Sequence, residues 1–196
     1  LNMETIYNFA NSVEIEDVRP ILERQLKYNK AISDEGLKND WGANIGSLLL
    51  ENYGNDVKIK AKAWAAAGSD ARMNGCEMPV IINSGSGNQG ITVSMPVLAY
   101  AKEYGIDEER IYRALCVSNL TAIHQKTTIG RLSAYCGAIS KRYLGSVSVY
   151  GGFVGGRCPP CDLCGLPHWE QNVSGDSSPP AKGIESLWNP QSFYKY

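Results

Sequence analysis

The sequence predicts a mostly α-helical protein: a multi-helix domain over residues 1–140, a glycine-rich loop between two of its helices, and an irregular tail over 141–196. Three observations predict it. Apolar residues recur at three- and four-residue spacing through the first 140 positions. The only strand-like run, Val80-Ile81-Ile82, is too short to found a sheet. Six of the nine prolines and three of the six cysteines fall after residue 140, where no amphipathic period survives. Such a segment buries too little apolar area to offset its ordering entropy.

Taken in order, a helix-like pattern begins almost at once after Leu1. Asp17 is the expected N-cap of the next helix. Pro20 then falls in the first turn, where its missing N–H costs nothing. Val18, Ile21, Leu22, Gln25, Leu26 and Asn29 follow at helical spacing, with the apolar members expected on one face. A further helix runs from Ile45 to Asn52 and stops at Gly54. Another, rich in Ala and Lys, covers Asp56 to Met73 and ends at Asn74-Gly75. After the glycine-rich stretch a helix starts near Ile91, with a break or kink expected at Pro96. Asp107 caps the next, which places Ile111, Ala114, Leu115, Ser118 and Ala122 on one face. Residues 128–140 are expected to form one more.

Charge and hydropathy narrow the function. Nineteen Lys and Arg nearly balance 20 Asp and Glu, so no basic field draws a nucleic-acid backbone or an acidic membrane. No run approaches the roughly 20 apolar residues that span a bilayer. The N-terminus has no signal-peptide pattern, which makes the cytoplasm the default location. Cysteines there stay reduced, favouring thiolate chemistry over disulfides. The expected partner is a small molecule. Leu1 in place of an initiating Met reads as the start of an internal fragment.

The most unusual stretch is Asn83-Ser84-Gly85-Ser86-Gly87-Asn88-Gln89-Gly90. Two readings stand. It is a flexible connection, or it is a ligand loop, in which glycines let the backbone approach a substrate and the following helix N-terminus faces a carboxylate. The run of hydroxyl and amide side chains favours the ligand loop. No Gly-Lys-Ser/Thr follows and no βαβ frame surrounds it, so it is neither a P-loop nor a dinucleotide fingerprint. Lys126 and Arg131 could hold a substrate carboxylate, although helical Lys and Arg are more often solvated. His124 reads as a half-exposed helical residue.

Among the cysteines, Cys136 reads by itself as a small buried apolar residue. Cys116 falls within a helix as a packing or surface residue, and Cys76 lies in a turn. Cys158-Pro-Pro-Cys161-Asp-Leu-Cys164, with His168 four residues later, has the spacing of a small zinc or iron–sulfur site.

Two longer motifs carry a resemblance. Gly68-Ser-Asp-Ala-Arg-Met-Asn-Gly-Cys76-Glu-Met-Pro-Val80 leads into the loop through Gly90, and Ala122-Ile-His-Gln-Lys continues to Ile129-Gly-Arg-Leu-Ser-Ala-Tyr-Cys-Gly-Ala138. Over about residues 5–140 the chain resembles the serine-dehydratase-alpha-like family that includes L-cysteine desulfidase. The resemblance implies an oxygen-sensitive [4Fe–4S] cluster held by three cysteines with one iron open to substrate. It makes Cys136 one cluster ligand and the Asn83–Gly90 loop the substrate region. It implies β-elimination from L-cysteine or L-serine to pyruvate and ammonia, with sulfide or water as the other product.

The chain departs from that family in two places. A preceding Gly-Cys-Thr-Glu-Pro segment is missing, and so is the later Cys-Asp-Gly-Ala-Lys-x-x-Cys motif that would supply the other two ligands. Similarity stops at Ser140, and residues 141–196 read as out-of-frame translation, which would make the Cys158, Cys161, Cys164 and His168 pattern accidental. Three expectations follow: an iron–sulfur lyase present as its central part and inactive as this chain, a non-catalytic helical fragment, or a zinc- or iron-binding module on the C-terminal cysteines. Apolar faces left uncovered by missing segments favour self-association into a homo-oligomer.

Overall fold

A computed structural model describes residues 2–129. Those residues form six helices: α1 (Met3–Ser12), α2 (Ile15–Lys38), α3 (Ile45–Tyr53), α4 (Val57–Met73), α5 (Gly87–Tyr104) and α6 (Glu108–Ile129). Val80–Ile82 forms no strand, and Asn83 and Ser86 form an isolated bridge beyond it. The mostly α fold follows the sequence pattern.

Helix α5 is the centre. Thirteen of its eighteen residues are buried, the mark of a helix enclosed on more than one side. It packs against α2, α4 and α6, while α1 leans on α6 and α3 on α4. One apolar cluster joins Ile6, Leu22, Val97, Tyr112 and Leu115, and a second joins Ile32, Ala65, Ile91, Met95 and Leu98. Close approach of α2 to α4 depends on glycine and alanine. A Cβ on Gly36 would lie 2.2 Å from the Ala67 carbonyl oxygen, and one on Gly68 would lie 2.4 Å from Ser33 Oγ.

The caps of α3, α4 and α6 follow the sequence. The Asp56 carboxylate accepts from Lys58 N–H at 3.3 Å to open α4, and Asp107 accepts from Arg110 N–H at 3.0 Å in α6. Helix α3 stops at Gly54. At the end of α4, Gly75 (φ +88°) turns left-handed and Cys76 N–H donates to the Ala71 carbonyl at 3.0 Å. That is the six-to-one bond of a Schellman cap. Arg113 donates to the Ala10 and Asn11 carbonyls at 2.7 and 2.9 Å, satisfying the open end of α1 and fixing it to α6.

Four expectations need correction. Helix α2 starts at Ile15 behind Glu14, not at Asp17, because Val13 and Ile15 pack on the first cluster and draw the start forward. Pro20 therefore stands well inside the helix, on its exposed face, where the carbonyl it leaves open meets water. Ile21 is 67% exposed; the buried stripe is Leu22, Gln25, Asn29, Ile32, Ser33 and Gly36. Helix α5 begins at Gly87 rather than near Ile91 and continues through Pro96 to Tyr104. Helix α6 runs past residue 128 to Ile129, so no new helix starts there; the remainder of the expected 128–140 helix, and the tail over 141–196, lie outside the described residues.

Where α6 meets α2, Arg19 lies 5.4 Å above the Tyr112 ring and Tyr112 donates to Glu108 at 2.7 Å. Burial, followed by the hydrogen bond to the Glu108 carboxylate, pushes the Tyr112 phenol up to about 12.

Candidate functional site

The site builds from a four-residue turn. Ser84 and Gly85 both adopt left-handed backbone, at φ +47° and +83°. Asn83 and Ser86 exchange backbone hydrogen bonds of 3.1 and 3.0 Å across them. Positive φ at both central positions is the signature of the primed turns that reverse a chain in two residues. Glycine adopts this freely. Serine does so at a cost, and such strain concentrates at functional sites.

Ser86 then caps α5, its Oγ accepting from Gln89 N–H at 3.3 Å. This is why the helix starts at Gly87: the cap residue stands five positions ahead of Ile91, the first large apolar residue. Gly87 and Gly90 are packing glycines of the first turn, not hinges of a flexible loop. A Cβ at Gly87 would fall 2.4 Å from Arg72 Nε, and one at Gly90 would fall 2.0 Å from the Ile81 carbonyl oxygen.

Arg72 at the end of α4 thus lies against the N-terminus of α5, and it donates to Asn88 Oδ1 at 3.0 Å. A guanidinium beside a helix N-terminus, here half-buried at Ser86 and Asn88, sums two positive potentials and offers several N–H donors to a carboxylate. Ser84, Gly85, Ser86, Gly87 and Asn88 gather round this end.

Beneath the turn runs a chain of carboxamides, buried at Gln25, Asn83 and Gln89 and half-buried at Asn119. Gln89 Nε2 donates to Asn83 Oδ1 at 2.8 Å, and Asn83 Nδ2 donates to Asn119 Oδ1 at 2.8 Å. Asn119 and Gln25 exchange donors at 2.9 Å each way. Asn29 holds the segment before the turn by both ends of its amide, accepting from Ile81 N–H at 2.8 Å and donating to the Ile81 carbonyl at 3.2 Å. The turn is therefore fastened to α2, α5 and α6 at once.

Asn83 to Ser86 form the turn, and Gly87 to Gln89 the first residues of α5. Lys126 does not join them through any hydrogen bond among the described residues; it is buried on α6, seven positions beyond Asn119. Arg131, Cys136, Cys158, Cys161, Cys164 and His168 lie outside the described residues. Sequence reasoning missed Arg72, although it stands in the motif before the loop. It also missed the amides below. Gln25 and Asn29 had a signal: polar residues set at the centre of an apolar stripe.

Among the described residues, no three His, Cys, Asp or Glu side chains converge as metal ligands. Cys116 is packed in the first cluster, and burial pushes its thiol up to about 11. Cys76 closes the cap of α4. Cluster ligands must be converging thiolates, so these residues do not fit an iron–sulfur centre.

A helical domain with a left-handed serine turn and an arginine at the head of its central helix is the class that fold and site define. Residues 2–148 match the serine dehydratase alpha chain, and the chain belongs to that family. Among curated proteins it is 65% identical over 140 residues to a UPF0597 protein of Lachnoclostridium phytofermentans, covering 71% of this chain and 34% of that protein. It is 62% identical over 139 residues to a UPF0597 protein of Desulfitobacterium hafniense (71% and 32%), and 52% identical over 144 residues to one of Fusobacterium nucleatum (71% and 34%). The chain thus spans about a third of the length of these relatives. No solved structure matches it.

Proposed function

We propose that this chain carries the substrate-binding part of a cytoplasmic amino-acid lyase that eliminates the β-substituent of L-serine or L-cysteine. Water or hydrogen sulfide leaves with the α-proton. The aminoacrylate that remains hydrolyses to pyruvate and ammonia. One observation carries the reading: Arg72, the α5 N-terminus and a strained serine turn meet at one point, held from below by buried amides.

In this reading the Arg72 guanidinium and the first turn of α5 grip the substrate carboxylate. Ser84, Ser86 and Asn88 orient the molecule beside it. The [4Fe–4S] cluster that the family resemblance implies would supply a Lewis acid for the leaving group, and it belongs with Cys136, outside the described residues. The described residues bind and orient; none of them is assigned the proton transfer. No helix among them is long and apolar enough to cross a membrane.

The reaction is tested on the full-length Lachnoclostridium relative, reconstituted with iron and sulfide without oxygen. Pyruvate and ammonia should appear in equal amounts from L-serine or L-cysteine. A reconstituted, folded protein that releases neither from either amino acid contradicts the proposal.

A further inference from the structure

Nothing in the proposed grip uses the residue next to Arg72. Met73 ends α4 and is 66% exposed. Its sulfur accepts from Arg72 Nη1 at 3.6 Å, and the same nitrogen donates to Asn88 Oδ1 at 3.0 Å. Both hydrogens of that nitrogen are thus turned to neighbours. A thioether sulfur is a weak acceptor, so the first of these bonds is readily given up to a carboxylate. The end of α4 holds the two side chains in place: Asn74 N–H donates to the Asp70 carbonyl at 3.1 Å, and Asn74 Nδ2 donates to the same oxygen at 2.8 Å.

Exposure separates Met73 from the other three methionines. Met95 has no exposed surface, and Met78 packs half-buried on the second cluster. Met3 is 40% exposed, with its sulfur accepting from the Thr121 hydroxyl at 3.9 Å. We infer that Met73 is an oxidation site of this domain, and that its sulfoxide oxygen takes the Arg72 guanidinium from the substrate. The oxidant is hydrogen peroxide. The sulfur lone pair attacks one peroxide oxygen, the O–O bond breaks and the S–O bond forms. Sulfur loses two electrons, and the second oxygen leaves as water with the proton of the first. The product is polar where the thioether was apolar, and its oxygen is a strong acceptor within reach of the same Arg72 N–H. The effect on binding rests on the carboxylate grip proposed above; the modification itself does not.

The full chain is treated with hydrogen peroxide, mapped by mass spectrometry and titrated with L-serine by calorimetry. Met73 is expected to gain one oxygen ahead of Met3, Met78 and Met95. L-Serine affinity should then fall about 3- to 5-fold, short of the loss from removing Arg72, because the positive charge is still present. Methionine sulfoxide reductase should restore the affinity and dithiothreitol should not, which separates the sulfoxide from oxidised cysteines. Met73→Leu has no sulfur to oxidise at this position and should keep its affinity through the treatment. Oxidation of the other methionines with Met73 intact overturns the inference. So does an unchanged affinity once Met73 is oxidised, a result that leaves the carboxylate grip standing. If the untreated chain binds no L-serine, the grip falls and the Arg72 Nε–H resonance decides. A resonance that moves on oxidation, and not in Met73→Leu, supports the inference; one that stays in place overturns it.

Discussion

Replacing Arg72 by methionine is expected to weaken L-serine binding about tenfold while the chain stays folded. A hydrogen bond to a charged group is worth about 1.5–3 kcal/mol, and the lower figure applies to an exposed guanidinium partly screened by water. Arg72 stands at the end of α4 on the protein surface, so the methionine stem covers the same neighbours and the core is untouched. What goes is the fork of donors beside the α5 N-terminus and the bond to Asn88. Arg72→Lys should fall between, since it keeps the charge and loses the fork. Calorimetric titration reads the effect. An unchanged affinity in Arg72→Met removes this residue from the site.

Gly90→Ala is expected to cost about 3 kcal/mol or more of stability, the upper range for forcing extra volume into packed structure. The new methyl carbon would meet the Ile81 carbonyl oxygen at 2.0 Å and the Ile81 carbonyl carbon at 3.0 Å. Backbone cannot swing aside as a side chain does. Asn29 makes the constraint tighter, because it holds both the N–H and the carbonyl of Ile81. Gly75→Ala is the control. That glycine has open space around it and a φ of +88°, so only the left-handed strain of about 1–2 kcal/mol remains. Denaturant midpoints of the two variants should differ clearly. A Gly90→Ala variant as stable as Gly75→Ala contradicts the close contact.

How much of this was legible beforehand depends on what kind of force sets each feature. Helix ends governed by a local cap could be read: Asp56, Asp107, Gly54 and Asn74-Gly75 fall where the sequence put them. Ends governed by packing could not. The start of α2 is drawn to Ile15 by contacts with residues a hundred positions away, and no local rule sees those. The loop was legible as a place and misread in its mechanics. Gly87 and Gly90 look like flexibility in one dimension, and they are close contacts with Arg72 and Ile81 in three.

Arg72 shows the same limit. Fifteen positions separate it from Gly87, and only the turns at Asn74-Gly75 and Asn83–Ser86 bring the two together. The amide chain spans α2, the turn, α5 and α6, so its members could be suspected singly, as polar residues on apolar faces, but not joined. Cys116 was open between core and surface; the fold places it in the core.

The central claim is that the turn at the head of α5 receives an amino-acid carboxylate. Nuclear magnetic resonance on the full chain tests it most directly, by following the backbone amides of Ser84 to Gln89 during titration with L-serine and with ethanolamine, which lacks the carboxylate. Saturable shifts confined to those amides with L-serine, and none with ethanolamine, are the expected result. Shifts that are equal for the two compounds, or that centre on another part of the helical domain, would contradict it.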